Sequence, residues 1–322
     1  MQQKNVDEVI AEVDTEEAPE VIPEVSVKPP KTFDEQIDIL TQRGLYVADR
    51  QEAILSLSSI NYYRLRGYYN KLTQNDSDNF IPGTSLSQII TFHQFDSKLR
   101  KILLGLLLDI EITARARIAY VLAHQWGPLG YENKDKYTGC DPTNLDKLLE
   151  SIHEDIRRSN ERFIVTYNEK YKGQFPIWVT VEVMSFGDLS KLYGLLPPDI
   201  RQDIANYYGK IDQTLLVNWL LAASVLRNVC AHNSRLYDRT FAIRVTIENN
   251  LQKHLQESLN NGFTVYNNTL FAYLLALRRI STQGSWNTLY DEINRLFDEY
   301  YGQIEIIKLG FPFQWKKLLC KK

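Results

Sequence analysis

The chain has 322 residues, 44% of them hydrophobic, and a formal net charge of -3, enough apolar material for one large or two modest domains with a proper core. Three widely separated cysteines, Cys140, Cys230 and Cys320, exclude a disulfide framework and a paired Cys-x-x-Cys metal clip and fit a reducing cytoplasm. The lack of a long uncharged apolar run or of a basic-then-apolar leader argues against membrane and export readings.

Residues 1–30 hold eight acidic side chains against Lys4 and Lys28, a balance of -6 that leaves the rest of the chain at +3. Without aromatic residues and ending in VSVKPP, this stretch cannot bury enough apolar area to offset the entropy of ordering, so we read a disordered acidic tail. It serves either to solubilise the protein or to compete with nucleic acid for a basic groove. A helical region over 31–80 follows. It opens with Thr32 and Glu35 as a capping box ahead of Phe33, Ile37 and Leu40, stops at Gly44, and restarts from Asp49. In INYYRLRGYYNKL, residues 60–72, Tyr62 and Tyr63 alternate with Arg64 and Arg66. That interleaving suits single-stranded nucleic acid, where rings stack on bases and cations take phosphates; tyrosines at a helix-helix seam are the alternative.

A helical core is expected over 81–250. Residues 86–127 carry helical periodicity too long for one ordinary helix, and a break near Asp96, capping the second part, is the expected solution. Glu111 and Arg115 are spaced to pair on one face. Further helices are suggested over 141–163, with Pro142 at the start, and between Pro198 and Gly209. Strand-like alternation is confined to FAIRVTI, 241–247, and GQIEIIKL, 302–309, and a soft boundary near 250 introduces a C-terminal helical extension over 251–322 that contains the helices NTLFAYLLALRRI and SWNTLYDEINRLFDEYY. The fold class is all-α.

The apolar run TLLVNWLLAASV leads directly into LRNVCAHNSRLYDR, residues 226–239, where Arg, Asn and His replace the Lys and Glu of a solvated face. One helix over 213–239, entered from Asp212, would align Asn228, His232, Arg235 and Arg239 in a stripe; Arg227 would lie about 140° from His232 and Cys230 about 200° from it. Lone His232 cannot make a metal site, for which three or four ligands are usual, and the angle disfavours a Cys-His pair. An imidazole among guanidiniums remains. It suits metal-free cleavage of RNA, in which a base takes the 2′-OH proton, the oxygen attacks the adjacent phosphorus, and cations stabilise the growing charge. A histidine that merely hydrogen-bonds within a core satisfies the same spacing.

RNVCAHNSRLYDR resembles the signature of Abi-like bacterial abortive-infection proteins of the AbiD and AbiF type, whose Arg-Asn-x-x-x-His core is the nuclease motif of the HEPN superfamily. RGLYV, INYYRLRGYY, FDSKLR, DIEITARARIAYVLAHQWG and FPIWVTVEVMSFGDLSKLYGLL are similar to further blocks in the family's order, together covering roughly residues 31–240. The resemblance implies a HEPN-type helical bundle with N-terminal and C-terminal helical extensions, a homodimer joining two motifs, and a metal-independent, cofactor-free endoribonuclease used as a toxin in phage defence. By the same resemblance Arg227 holds the scissile phosphate, Asn228 orients it or the base, His232 transfers the proton, and Arg235 and Arg239 extend the phosphate grip. RNA is the implied partner, both as substrate and, as in some AbiF-like proteins, as a small non-coding RNA that restrains the toxin. The alternative is a non-cleaving module whose arginines hold a guide or antitoxin RNA.

Overall fold

The computed structural model describes residues 27–74, 77–248, 252 and 266–320. Residues 1–26 of the expected acidic tail, and most of the stretch around the expected boundary near 250, lie outside the described residues. Within them the chain is an all-α bundle of thirteen helices with no strand.

The N-terminal caps fall where their side chains dictate. Thr32 and Glu35 exchange hydrogen bonds at the start of α1 (Phe33–Gln42), and Asp49 accepts from Gln51 and Glu52 at the start of α2 (Arg50–Ser59). After α3 (Tyr62–Tyr69) comes α4 (Leu86–Trp126), a single helix of 41 residues and therefore about 60 Å long. The expected break near Asp96 does not occur. Asp96 caps nothing, because its carboxylate is wholly buried and accepts from other elements instead.

α4 is the axis of the bundle. Against it pack α10 (Gln213–Ala231), α12 (Gln283–Glu299), α7 (Ile177–Val183), α9 (Pro198–Asn206) and α3. α5 (Pro142–Arg158) and α8 (Phe186–Leu195) form a second layer, and α11 (Leu270–Ile280) lies on α10. The expected helix over 141–163 is two, since α5 ends at Arg158 and α6 (Arg162–Tyr171) begins after a turn in which Ser159 Oγ accepts from Glu161 N. A short α13 (Trp315–Leu318) closes the chain. α10 is long and apolar enough to cross a membrane by length and composition alone, yet Leu216, Leu220, Ala223 and Leu226 are fully buried in the shared core, as in the central helix of a bundle.

Neither strand-like stretch is a strand. Along 241–247 Phe241 and Val245 are buried, which creates the alternation, but no ladder forms: side chains take the carbonyls, Asn218 Nδ2 donating to Arg244 O (3.0 Å), Trp219 Nε1 to Thr246 O (2.8 Å) and the Tyr273 hydroxyl to Ile243 O (2.9 Å), while Phe241 N and Val245 N donate to Asn268 O (2.9 Å) and Asn267 O (2.8 Å). Residues 306–309 form a 3-10 turn.

The helix expected to run to residue 239 ends at Ala231. His232 is its C-cap, and Asn233 follows in the left-handed region at φ 54°. Asn233 N donates to Cys230 O (3.2 Å) and Ser234 N to Val229 O (2.9 Å), the paired bonds of a Schellman stop. A proposed helical stripe through Arg235 and Arg239 is thereby replaced by a helix end and a folded-back loop.

Candidate functional site

Arg227 occupies the last turn of α10 and reaches toward the middle of α4. Its Nε lies 3.2 Å from Glu111 Oε2, and its Nη1 donates to Asn228 Oδ1 (3.3 Å). Glu111 is buried, and its other oxygen accepts from Arg115 Nη2, the pair expected from the i, i+4 spacing. Arg115 is fixed in turn by the carbonyls of Glu182 (2.6 Å) and Met184 (2.9 Å) at the C-terminal end of α7. Arg227 and Arg115 thus share the buried Glu111 carboxylate, Glu182 Oε2 lies 4.0 Å from Arg115 Nη1, and the Arg227 side chain is 30% exposed. The Arg227 to Glu111 contact is charge to charge. Neither Arg227 Nε nor Glu111 Oε2 has an aligned hydrogen-bond partner, so Arg227 is held at the site without being locked there.

Asn228 and the C-cap His232 are exposed at the same helix end. His232 is positioned through the backbone, its N donating to Asn228 O (2.9 Å), and through the loop that follows. That loop is tied to α4 by Asp96, whose carboxylate accepts from Leu236 N (3.1 Å), Tyr237 N (2.7 Å) and the Tyr68 hydroxyl (2.7 Å), and is paired with buried Arg100. Arg100 Nη1 also reaches Ser234 O (3.4 Å). From α3, Arg64 Nη2 donates to Asn233 O (2.5 Å) and Arg64 Nε to His93 Nε2 (3.1 Å). Burial, with Arg64 and Arg100 nearby, holds His93 below the usual imidazole range, which keeps its Nε2 free to accept. Asp96, Arg100 and His93 are site residues that spacing did not assign. Their signal was present in the first two, charged residues punctuating the apolar background of α4.

The remaining predicted positions divide. Arg227, Asn228 and His232 come together at one helix end, and Arg64 joins them as a brace for the loop. Arg235 turns away, its Nη1 donating to Tyr237 O (2.8 Å) and its stem lying over Gly67, where an added Cβ would sit 3.6 Å from Arg235 Cδ. Arg239 donates to Arg235 O (3.3 Å) and lies over the Phe241 ring. Tyr62 and Arg66 are one turn apart on α3, about 200° around it from Arg64, and meet Arg43 and Asp78 respectively. They are not gathered at the Arg227 site. Tyr63 is 72% exposed on a third face.

Cys230 is buried, and burial pushes its thiol up to about 12, which leaves it a poor source of thiolate. Among the described residues no three His, Cys, Asp or Glu side chains form a metal-ligating group. What the site offers is an exposed imidazole, an amide and a guanidinium oriented by a buried carboxylate: groups that can exchange a proton and hold an oxyanion.

Neither a curated protein nor a solved structure matches the chain. The family model for Abi-like proteins matches residues 56–238, from α2 to the loop beyond His232, and so spans both the long axis helix and the site built on it. That is more than half of the sequence, and the chain belongs to the Abi-like protein family, which points to abortive infection.

Proposed function

We propose that the chain is a metal-independent endoribonuclease of the HEPN type, acting as a toxin in bacterial abortive infection. The observation that carries this is the placing of Arg227, Asn228 and His232 within the last turn and C-cap of α10, with Arg227 held against buried Glu111. Arg227 holds the scissile phosphate and stabilises charge on its non-bridging oxygens. His232 takes the 2′-OH proton, the 2′ oxygen attacks phosphorus, and the 5′ oxygen leaves with a proton. One imidazole cannot readily serve as base and acid in the same step, so the second comes from a partner copy across a two-fold axis. Leu108 and Ile112 support this geometry: they lie on the same face of α4 as Glu111 and Arg115 and are 43% and 64% exposed. A small non-coding RNA that occupies the same site would restrain the toxin until infection.

His232→Ala leaves the phosphate grip intact, so cleavage is expected to fall about 10²- to 10⁴-fold while RNA binding persists. Cleavage by the unmutated protein continues in EDTA, spares DNA, and leaves a 2′,3′-cyclic phosphate and a 5′-hydroxyl. A folded His232→Ala protein that cuts at the parental rate, or activity that stops on chelation, overturns the mechanism and favours an RNA-holding module.

A further inference from the structure

Away from Arg227, α6, α7 and the turn after α4 enclose an open groove of about 530 Å³, walled by Leu129, Tyr167, Tyr171, Gln174, Pro176 and Trp178. Two of its rings face outward, Tyr171 at 53% and Trp178 at 46% exposure. The wall is preformed. Tyr167 and Tyr171 lie 4.7 Å apart at 31°, the turn between α6 and α7 is set by Lys172 and Gly173 in the left-handed region, and Phe175 O accepts from the Tyr131 hydroxyl (3.0 Å) while Pro128 O accepts from Ile177 N (2.9 Å).

We infer that this groove stacks unpaired RNA bases of a strand whose scissile phosphate lies at Arg227, an assignment that rests on the RNA reading above. Three observations select RNA. Flat faces of Tyr and Trp take any base, and an amide at Gln174 can donate and accept at a base edge. Charge is complementary: on α6, Lys170 lies about 60° from Tyr167 around the helix, whereas Glu169 lies about 200° away and points off the groove. Lys170 and Lys172 are exposed and take part in no ion pair among the described residues. The groove is also joined to the site by α7. Trp178 and Glu182 are one turn apart on the exposed face of α7, about 6 Å along its axis, and Glu182 Oε2 approaches Arg115 Nη1 at 4.0 Å, beside Glu111 and Arg227. A strand leaving Arg227 along this face passes Glu182, whose charge Arg115 faces at 4.0 Å, and then meets the rings.

The test is fluorescence anisotropy of a labelled oligouridylate in the His232→Ala background, which keeps the RNA whole whether or not the chain cleaves it. A failure of the nuclease mechanism is thereby read separately, in the cleavage assay. Tyr171→Ala and Trp178→Ala are each expected to weaken binding about 5- to 100-fold, with Trp178→Phe close to the parent. An abasic oligonucleotide should bind parent and variants alike, a difference that a general loss of structure would not produce. Variants with parental circular dichroism and unchanged oligouridylate affinity overturn the assignment and give the groove to a protein ligand. A Trp178→Ala protein that loses RNA together with its dimer in light scattering also overturns it, since the ring would then serve a second copy of the chain.

Discussion

Four donors from three parts of the chain converge on the Asp96 carboxylate, and that convergence joins α4 to the loop behind His232. Removing one partner of a buried pair leaves the other uncompensated, so Asp96→Ala should lose about 3–5 kcal/mol of stability in urea unfolding. The double variant Asp96→Ala, Arg100→Met should recover part of that loss; a single variant as stable as the parent would sink the anchor. His93 gives a second test. Its proton affinity in the folded state is held below the ordinary value by burial and by Arg64 and Arg100, against an opposing pull from Asp96. The unfolded chain therefore binds more protons below about pH 6.5, and the stability this neutral ring contributes is present above that value and lost as pH falls toward its lowered folded value. The urea midpoint should drop across that window, and His93→Gln, whose side-chain oxygen can still accept from Arg64, should flatten the dependence.

At the scale of elements, the stop at Asn233 decides where His232 points. Asn is the residue after Gly that best tolerates the left-handed region, and its replacement by Ala should cost about 1–2 kcal/mol and reduce RNA cleavage as His232 loses its backbone register. Asn233→Gly should leave both thermal stability and cleavage near parental levels, whereas equal behaviour of Ala and Gly would remove the argument. This same residue explains one limit on what the sequence discloses. Thr32, Asp49 and Asp212 are legible as caps because a short acceptor precedes an apolar period. The end at Asn233 is masked because Arg235 and Arg239 continue the helical spacing beyond it. Asp96 misleads in the opposite direction: local pattern cannot distinguish an acceptor for its own helix from one for Leu236 and Tyr237, some 140 residues away. Likewise Arg227, Asn228 and His232 are readable as a group. The brace from Arg64 and the hold of Glu111 on Arg227 depend on which faces the bundle turns inward, information carried by packing rather than by any window of sequence.

For the whole molecule, α4 supplies one side of the site and an apolar outer face beside it. If two copies meet there, Ile112→Glu should leave folding intact, since the side chain is 64% exposed, yet convert the dimer to monomer in light scattering and abolish cleavage together. A fully active monomer would refute the composite site. The unbroken course of α4 has a consequence for how the protein can change. Asp96, which fixes the loop behind His232, and Glu111, which fixes Arg227, stand on one rigid rod about 22 Å apart. Substitutions on its outer face leave that spacing untouched, but inserting or deleting a single residue between them turns one anchor by about 100° relative to the other and shifts it by about 1.5 Å. Guanidinium and imidazole would then be aimed apart although neither had been altered. The spacer between the two carboxylates is therefore constrained in length more tightly than in composition, and variation compatible with function in this stretch takes the form of replacement, never of insertion or loss.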